Sequence, residues 1–251
     1  MKEGKHITAP KGEPVRVRLF GMLELENSFG RVEETRGRQP LSFLLLKYLL
    51  IEPGRPVSAE EVYDRVWPGE RGEDARTGRV RLRRIREALE PMALGGIRGL
   101  ILYRGGMYEL NRDYPLEVDA ERCGQVLDLL ADMPPEREEG LALCGEALEL
   151  LRGPYMAYTD PAVAPWVTPH RELYQRSFAR LAPDALERML TQERYELLTL
   201  LCGRAAEMLP EEEGLHRELI HTLVRQGRER ELVRHITRLD RSGRAGWLRK
   251  E

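Results

Sequence analysis

Residues 75–89, Ala75-Arg-Thr-Gly-Arg-Val-Arg-Leu-Arg-Arg-Ile-Arg-Glu-Ala-Leu89, set six arginines at positions 76, 79, 81, 83, 84 and 86 with no acidic residue among them. At 100° per residue, Gly78, Leu82, Ile85 and Leu89 fall on one side of a helix. Arg76, Arg79, Val80, Arg83 and Arg84 fan over the other. One face packs, and the other carries positive charge that needs an anion beside it. Arginine rather than lysine suits bidentate recognition of phosphate oxygens and of guanine edges in a DNA major groove. At least half of such hydrogen bonds go to the backbone, so phosphate positioning is the default role of each arginine.

The chain has 251 residues, 41% hydrophobic and 33% charged, enough for two cores of ordinary domain size. The absence of an apolar run of about 18 residues and of a signal-peptide core leads to the expectation of a cytoplasmic protein with no membrane partner. Cys123, Cys144 and Cys202 are odd in number and far apart, which favours reduced, buried thiols over disulfides. The net charge of −2 is unevenly spread. Residues 1–112 carry 21 Lys+Arg against 16 Asp+Glu, and residues 113–251 carry 19 against 26. A basic module joined to an acidic one has that signature, and a patch acts through its local field, screened over roughly 8–10 Å.

Working outward from the arginine stretch, the preceding residues divide clearly. Residues 1–14 are polar and aperiodic, as in a flexible arm. Val15-Arg-Val-Arg-Leu19 alternates, and the strand-like runs 23–26 and 31–34 follow short Gly-containing turns, which predicts a small antiparallel meander. Pro40 precedes the apolar run 41–51, closed by Glu52-Pro53-Gly54, a largely buried helix. Ser58-Ala-Glu-Glu61 has the form of a capping box opening a helix to about Val66, where Trp67-Pro68-Gly69 stops it. After the arginine helix, residues 101–103 and 107–110 flank Arg104-Gly105-Gly106, a hairpin with a tight glycine turn. Strands, three helices and a closing hairpin make a winged helix-turn-helix. Its third helix enters the major groove, and Arg104 at the hairpin tip reaches the neighbouring minor groove.

Beyond about residue 114 the pattern is helical throughout: 120–131, 136–151, 166–190, 195–209, 211–226 and 229–241. Helical pairs of this size suggest stacked tetratricopeptide-like hairpins with few of the small residues that let paired helices approach. Residues 152–165 form a long aperiodic connection, a candidate docking loop. The expected division is an arm at 1–14, a DNA-binding winged helix-turn-helix at 15–113, a helical-repeat domain at 114–241 and a tail at 242–251. The fold class is therefore mainly α with a small β component.

Linked motifs along this frame resemble the SARP-type bacterial transcriptional activators, in which an OmpR-like winged helix precedes a bacterial transcriptional activator domain of tetratricopeptide-like helices. The first domain carries Pro53-Gly-Arg-Pro-Val-Ser58, Trp67-Pro68, Leu82-x-x-Ile-Arg-x-Ala-Leu89, Gly105-Gly-x-Tyr-x-Leu110 and Val118-Asp119. The second carries Leu151-Arg-Gly-Pro154, Trp166-Val167 with Arg171 and Leu173, Leu209-Pro210, Glu213, His216-Arg217 and Gln226-Gly227-Arg228. The resemblance implies a sequence-specific transcriptional regulator, an activator that binds promoter repeats and recruits RNA polymerase. Its DNA contacts would be Arg76, Thr77, Arg79, Val80, Arg83, Arg84 and Arg86, with Arg104 in the wing. Its polymerase-contact loop would hold Glu70, Glu73 and Asp74. Partners would be double-stranded DNA and RNA polymerase, with a homodimer on DNA repeats. Three departures stand out. Gly78 replaces an apolar anchor at a cost of about 1 kcal/mol against alanine. Leu198 and Leu232 stand where alanine is common, and Ile236 replaces a usual tyrosine.

Other chemistries find little footing. His216 and His221 do not have the i,i+4 spacing that brings two imidazoles together, and no Cys or acid cluster completes a metal set. No phosphate-cradling Gly-x-x-x-x-Gly-Lys motif and no nucleophile motif occurs, so neither cofactor nor enzyme activity is expected. The rival of another class is a helical-repeat adaptor whose winged helix does not read DNA. A groove lined by Arg180, Arg188, Arg194 and Arg204 would favour it, whereas an exposed Arg76–Arg84 face would favour DNA.

Overall fold

The computed structural model describes residues 14–27, 30–34, 41–67, 100–111, 115–243 and 247. These divide into two units. The first comprises the described residues of Met1–Asp119 with Met156–Thr168, and the second those of Ala120–Tyr155 with Pro169–Glu251. The class is mainly α with a small β component, a winged-helix domain followed by a helical one.

In the first unit, β1 (Val15–Arg18), β2 (Glu24–Asn27) and β3 (Gly30–Glu33) form the expected antiparallel meander. Val15 and Val17 point into the core while Arg16 stays exposed, the period-two alternation of a half-buried strand. Helix α1 (Leu41–Ile51) is buried from Phe43 to Leu50. Strand β4 (Val57–Ser58) leads into α2, which begins as Ala59–Glu61 and continues as a π-helical turn, Val62–Val66, closed by Trp67 N–H on the Val62 carbonyl. The hairpin β5 (Ile101–Arg104) and β6 (Met107–Leu110) pairs with β4 in a sheet ordered β4-β6-β5.

Two features of this unit come from far along the chain. Strand β7 (Leu116–Val118) joins β1 in parallel, giving the order β3-β2-β1-β7. Asp119, the next residue, accepts hydrogen bonds from the Leu19 and Phe20 amides at 2.8 and 3.2 Å. The connection at 152–165 has a role within this unit. The Met156 and Ala157 amides donate to the Leu19 and Gly21 carbonyls at 2.7 and 2.8 Å. Trp166 meets the Tyr48 ring edge-on at 5.2 Å.

A charge lies at the centre of this unit. Lys47, on the otherwise apolar α1, is fully buried, and its Nζ donates to both oxygens of the equally buried Glu34 at 2.6 and 2.8 Å and to Thr159 Oγ1 at 2.8 Å. All three donor positions of the ammonium are thereby used, the condition under which a buried ion pair is tolerated.

The second unit holds α3 (Asp119–Ala131), α4 (Glu138–Leu150), α5 (Val167–Thr191), α6 (Leu198–Met208), α7 (Glu213–Arg225) and α8 (Glu229–Ser242). Each lies within a few residues of its expected span. Three glycines of these helices lie where long side chains cross them. A Cβ on Gly140 of α4 would sit 2.3 Å from Arg188 Nη1, one on Gly145 would sit 3.3 Å from Leu197, and one on Gly203 of α6 would sit 2.6 Å from Arg238 Nη1. Cys123, Cys144 and Cys202 are buried free thiols. Burial pushes Cys144 and Cys202 up to about 12, which keeps them protonated and unreactive.

His216 does not face His221. It meets His235 of α8, Nδ1 to Nε2 at 3.1 Å, while its Nε2 lies 2.8 Å from the Leu209 carbonyl and His235 Nδ1 lies 3.1 Å from the Cys202 carbonyl. Trp247 stacks on His216 at 5.9 Å, which accounts for an aromatic residue in a polar tail. Two neutral imidazoles supply two protons for three contacts. Burial lowers the pKa of both rings, and the neighbouring His216 helps bring His235 to about 4.

Two predictions follow from these buried groups. Lys47→Met leaves the Glu34 carboxylate without its cation and is expected to cost about 3–5 kcal/mol in denaturant unfolding, whereas Lys47→Met combined with Glu34→Leu regains most of that loss. Equal instability of the single and double variants would show that the pair is not the cause. For the histidines, the unfolded chain binds protons near pH 6.5 and the folded pair binds them more weakly. The stability they contribute is full above about pH 6.5 and is lost as the pH falls toward 4. Melting temperature measured between pH 7.5 and 4.5 is expected to fall on acidification, with a shallower slope for His235→Leu. An unchanged slope in that variant would refute the assignment.

Candidate nucleic-acid interface

The arginine stretch needs a platform, and the described part of the first unit shows how one is built. Ser58 Oγ accepts from the Glu61 amide at 3.0 Å, the forward half of the capping box. The reciprocal half is replaced. The Glu61 carboxylate accepts from Tyr48 Oη at 2.6 Å and from Arg55 Nη2 and Nη1 at 2.8 and 3.1 Å, so it ties α2 to α1. Arg55 also pairs with Glu52 at 2.7 Å. The Arg55 guanidinium holds the Glu61 carboxyl below the usual range, against the opposing effect of burial. Burial and the adjoining Glu61 raise the Tyr48 hydroxyl. Arg55 is therefore neutralised within the fold.

The hairpin is anchored on both sides. The Ala59 amide, in the first turn of α2, donates to the Gly106 carbonyl at 3.0 Å. An aromatic row, Tyr63–Trp67–Tyr108–Tyr103, runs beneath, with ring separations of 5.8, 6.3 and 4.7 Å. Gly105 and Gly106 have φ of +57° and +85°, the left-handed pair that a two-residue hairpin turn requires. Arg104 and Tyr103 at the end of β5 are exposed. The turn thus presents a cation at the tip of a rigid, aromatic-backed hairpin.

Of the expected site residues, Arg104 is the one inside the described residues. Arg76, Thr77, Arg79, Val80, Arg83, Arg84 and Arg86, and the loop residues Glu70, Glu73 and Asp74, lie outside them. Sequence reasoning passed over Arg65, exposed on the second helix of the winged unit without an ion pair among the described residues. Its alternation with buried Val62 and Val66 was the available signal.

Three of the four arginines that would have favoured an adaptor groove are engaged within the helical unit, and the fourth, Arg180, lines a cavity. Arg188 is 1% exposed and donates to the Met133 and Pro134 carbonyls at 2.6 and 2.7 Å and to Asp184 at 3.0 Å. Arg204 donates to the Leu148 and Arg152 carbonyls at 3.0 and 2.9 Å. Arg194 pairs with Glu196. Arg180 lines a cavity of about 470 Å³ between α3 and α5 with Asp128, Tyr174, Ser177 and Asp184. Among the described residues no group of three or more His, Cys, Asp or Glu side chains is placed to hold a metal ion, and no helix is long and apolar enough to cross a membrane.

Residues 36–99, which enclose the whole arginine stretch, match the family described as transcriptional regulatory protein, C terminal. Residues 118–242 match the bacterial transcriptional activator domain. These two modules in this order are those of a bacterial transcriptional regulator. The chain belongs to the regulators of SARP architecture, an OmpR-like winged helix followed by a bacterial transcriptional activator domain. Among solved structures it is similar to Mycobacterium tuberculosis EmbR in complex with low affinity phosphopeptide, at 18% identity and a TM-score of 0.57. That likeness covers 92% of this chain and 60% of the EmbR chain. None of the curated proteins compared with it matches.

Gly106→Ala tests the turn alone, since a Cβ there meets nothing within 4 Å. The left-handed backbone is expected to cost about 1–2 kcal/mol, read as a lowered melting temperature. No change would mean that the turn is free to adopt another conformation.

Proposed function

We propose that this regulator binds duplex DNA sequence-specifically in the cytoplasm, as an activator at promoter repeats that recruits RNA polymerase. The observation that carries the reading is the family match at 36–99 around six arginines, immediately ahead of a hairpin that holds Arg104 exposed. Arg76, Thr77, Arg79, Val80, Arg83 and Arg84 contact base edges and phosphates from the recognition helix. Arg86 supports its end, and Arg104 meets the phosphates beside the minor groove. The loop with Glu70, Glu73 and Asp74 offers an acidic surface to polymerase. Two copies occupy two repeats. The low overall charge does not oppose this, because the field of a local patch governs association.

The test is selection from random duplex DNA followed by fluorescence anisotropy of the enriched site across a salt series. A repeated motif is expected, with log affinity falling steeply against log salt. Arg83→Ala should weaken the selected site by about 1–3 kcal/mol relative to unrelated DNA. Arg104→Ala should weaken all sequences alike and reduce the salt slope by about one. No enriched motif, or unchanged binding in both variants, would place the function elsewhere.

A further inference from the structure

The helical unit is electrically polar along its length. Residues 120–151, covering α3 and α4, hold eight acidic and two basic side chains, while residues 213–243, covering α7 and α8, hold five acidic and seven basic. The contrast is sharpest on the outward faces of the first and last helices. On α8, Arg230, Arg234 and Arg241 are exposed, lie within about 40° of one another around the helix axis, and have no ion pair among the described residues. Val233 beside them is 64% exposed. On α3 and the residue that follows it, Glu121, Asp128 and Asp132 are exposed, fall on one stripe in the same way, and also have no ion pair among the described residues. Leu129 on that flank is 56% exposed.

The two stripes have the same spacing read in opposite directions. From Arg230 the cations come at steps of four and seven residues; from Asp132 running backwards the anions come at four and seven. Both span about 16 Å at 1.5 Å per residue. Laid antiparallel, Arg230 faces Asp132, Arg234 faces Asp128 and Arg241 faces Glu121, with the exposed Val233 and Leu129 on the flanks. Within one chain these helices open and close the helical unit. A repeat stack whose last helix leaves an apolar, charged face uncovered is completed by another helix of matching character.

We infer that the basic face of α8 docks on the acidic face of α3 in a second copy of this chain, a head-to-tail contact between helical units. The contact is heterologous: each copy uses one face as donor of cations and keeps the other face open for a further copy. It is independent of whether the winged helix reads DNA, and its test contains no DNA.

The experiment is sedimentation velocity of the full chain from micromolar concentration to the solubility limit, at low and high salt. The wild type is expected to rise above its 28.9 kDa monomer mass with concentration and to return to it in high salt. R230E/R234E and D128R/D132R, whose folding is checked by circular dichroism, should each remain monomeric alone. Mixed in equal amounts they should associate again in a salt-sensitive way, because the intact acidic face of the first meets the intact basic face of the second and the two reversed faces are complementary as well. A monomeric wild type, self-association surviving in either variant, or a mixture that stays monomeric would overturn the inference. Self-association surviving in both variants would assign the dimer contact to another surface.

Discussion

The winged unit depends on one buried ammonium. Lys47 sits in the middle of α1 where every neighbour from Phe43 to Leu50 is buried, and a cation there survives because Glu34 and Thr159 accept hydrogen bonds from all three of its N–H groups. The three residues come from different places: the end of the meander, the first helix, and a segment more than a hundred residues downstream. Satisfying the charge therefore fixes where the sheet ends against the helix and requires the returning chain to be present. The Asp119 carboxylate on the Leu19 and Phe20 amides, together with the Met156 and Ala157 amides on the Leu19 and Gly21 carbonyls, pins the same corner.

That rigidity is passed to the hairpin. Glu61 joins α2 to α1 through Tyr48, α2 holds the turn through Ala59 and Gly106, and the aromatic row fills the space beneath. The outcome is a division of labour among arginines. Arg55, Arg188 and Arg204 are consumed by carboxylates and carbonyls and serve as struts, while Arg104 on the hairpin and Arg230, Arg234 and Arg241 on α8 are exposed and have no ion pair among the described residues. Counting arginines in the sequence does not separate these two groups. What separates them is which backbone carbonyls and carboxylates the fold brings within reach.

Much of the frame was legible because it is local. The alternation in 15–19, the apolar run at 41–51, the glycine pair at 105–106 and the helical periods after 120 each depend on neighbours within a turn or two, and each appears where the pattern put it. The capping box was half legible. Ser58 caps as its position demands, but Glu61 prefers a guanidinium and a phenol that no local rule brings to it. The parallel pairing of β7 with β1, the His216–His235 contact and the seat of Trp247 join residues far apart in sequence, so no periodicity announces them. The packing around Gly140, Gly145 and Gly203 is likewise visible only once Arg188, Leu197 and Arg238 are seen lying across them.

By itself the sequence determined the class of the protein: a dense run of arginines within a regulatory-domain motif, a glycine-turned hairpin and a train of amphipathic helices, all set by the chemistry of short segments. The tertiary structure decided which charges are available. A charged group is neutralised or left free by what lies a few ångströms away in space, and that distance is set by packing between segments remote in the chain.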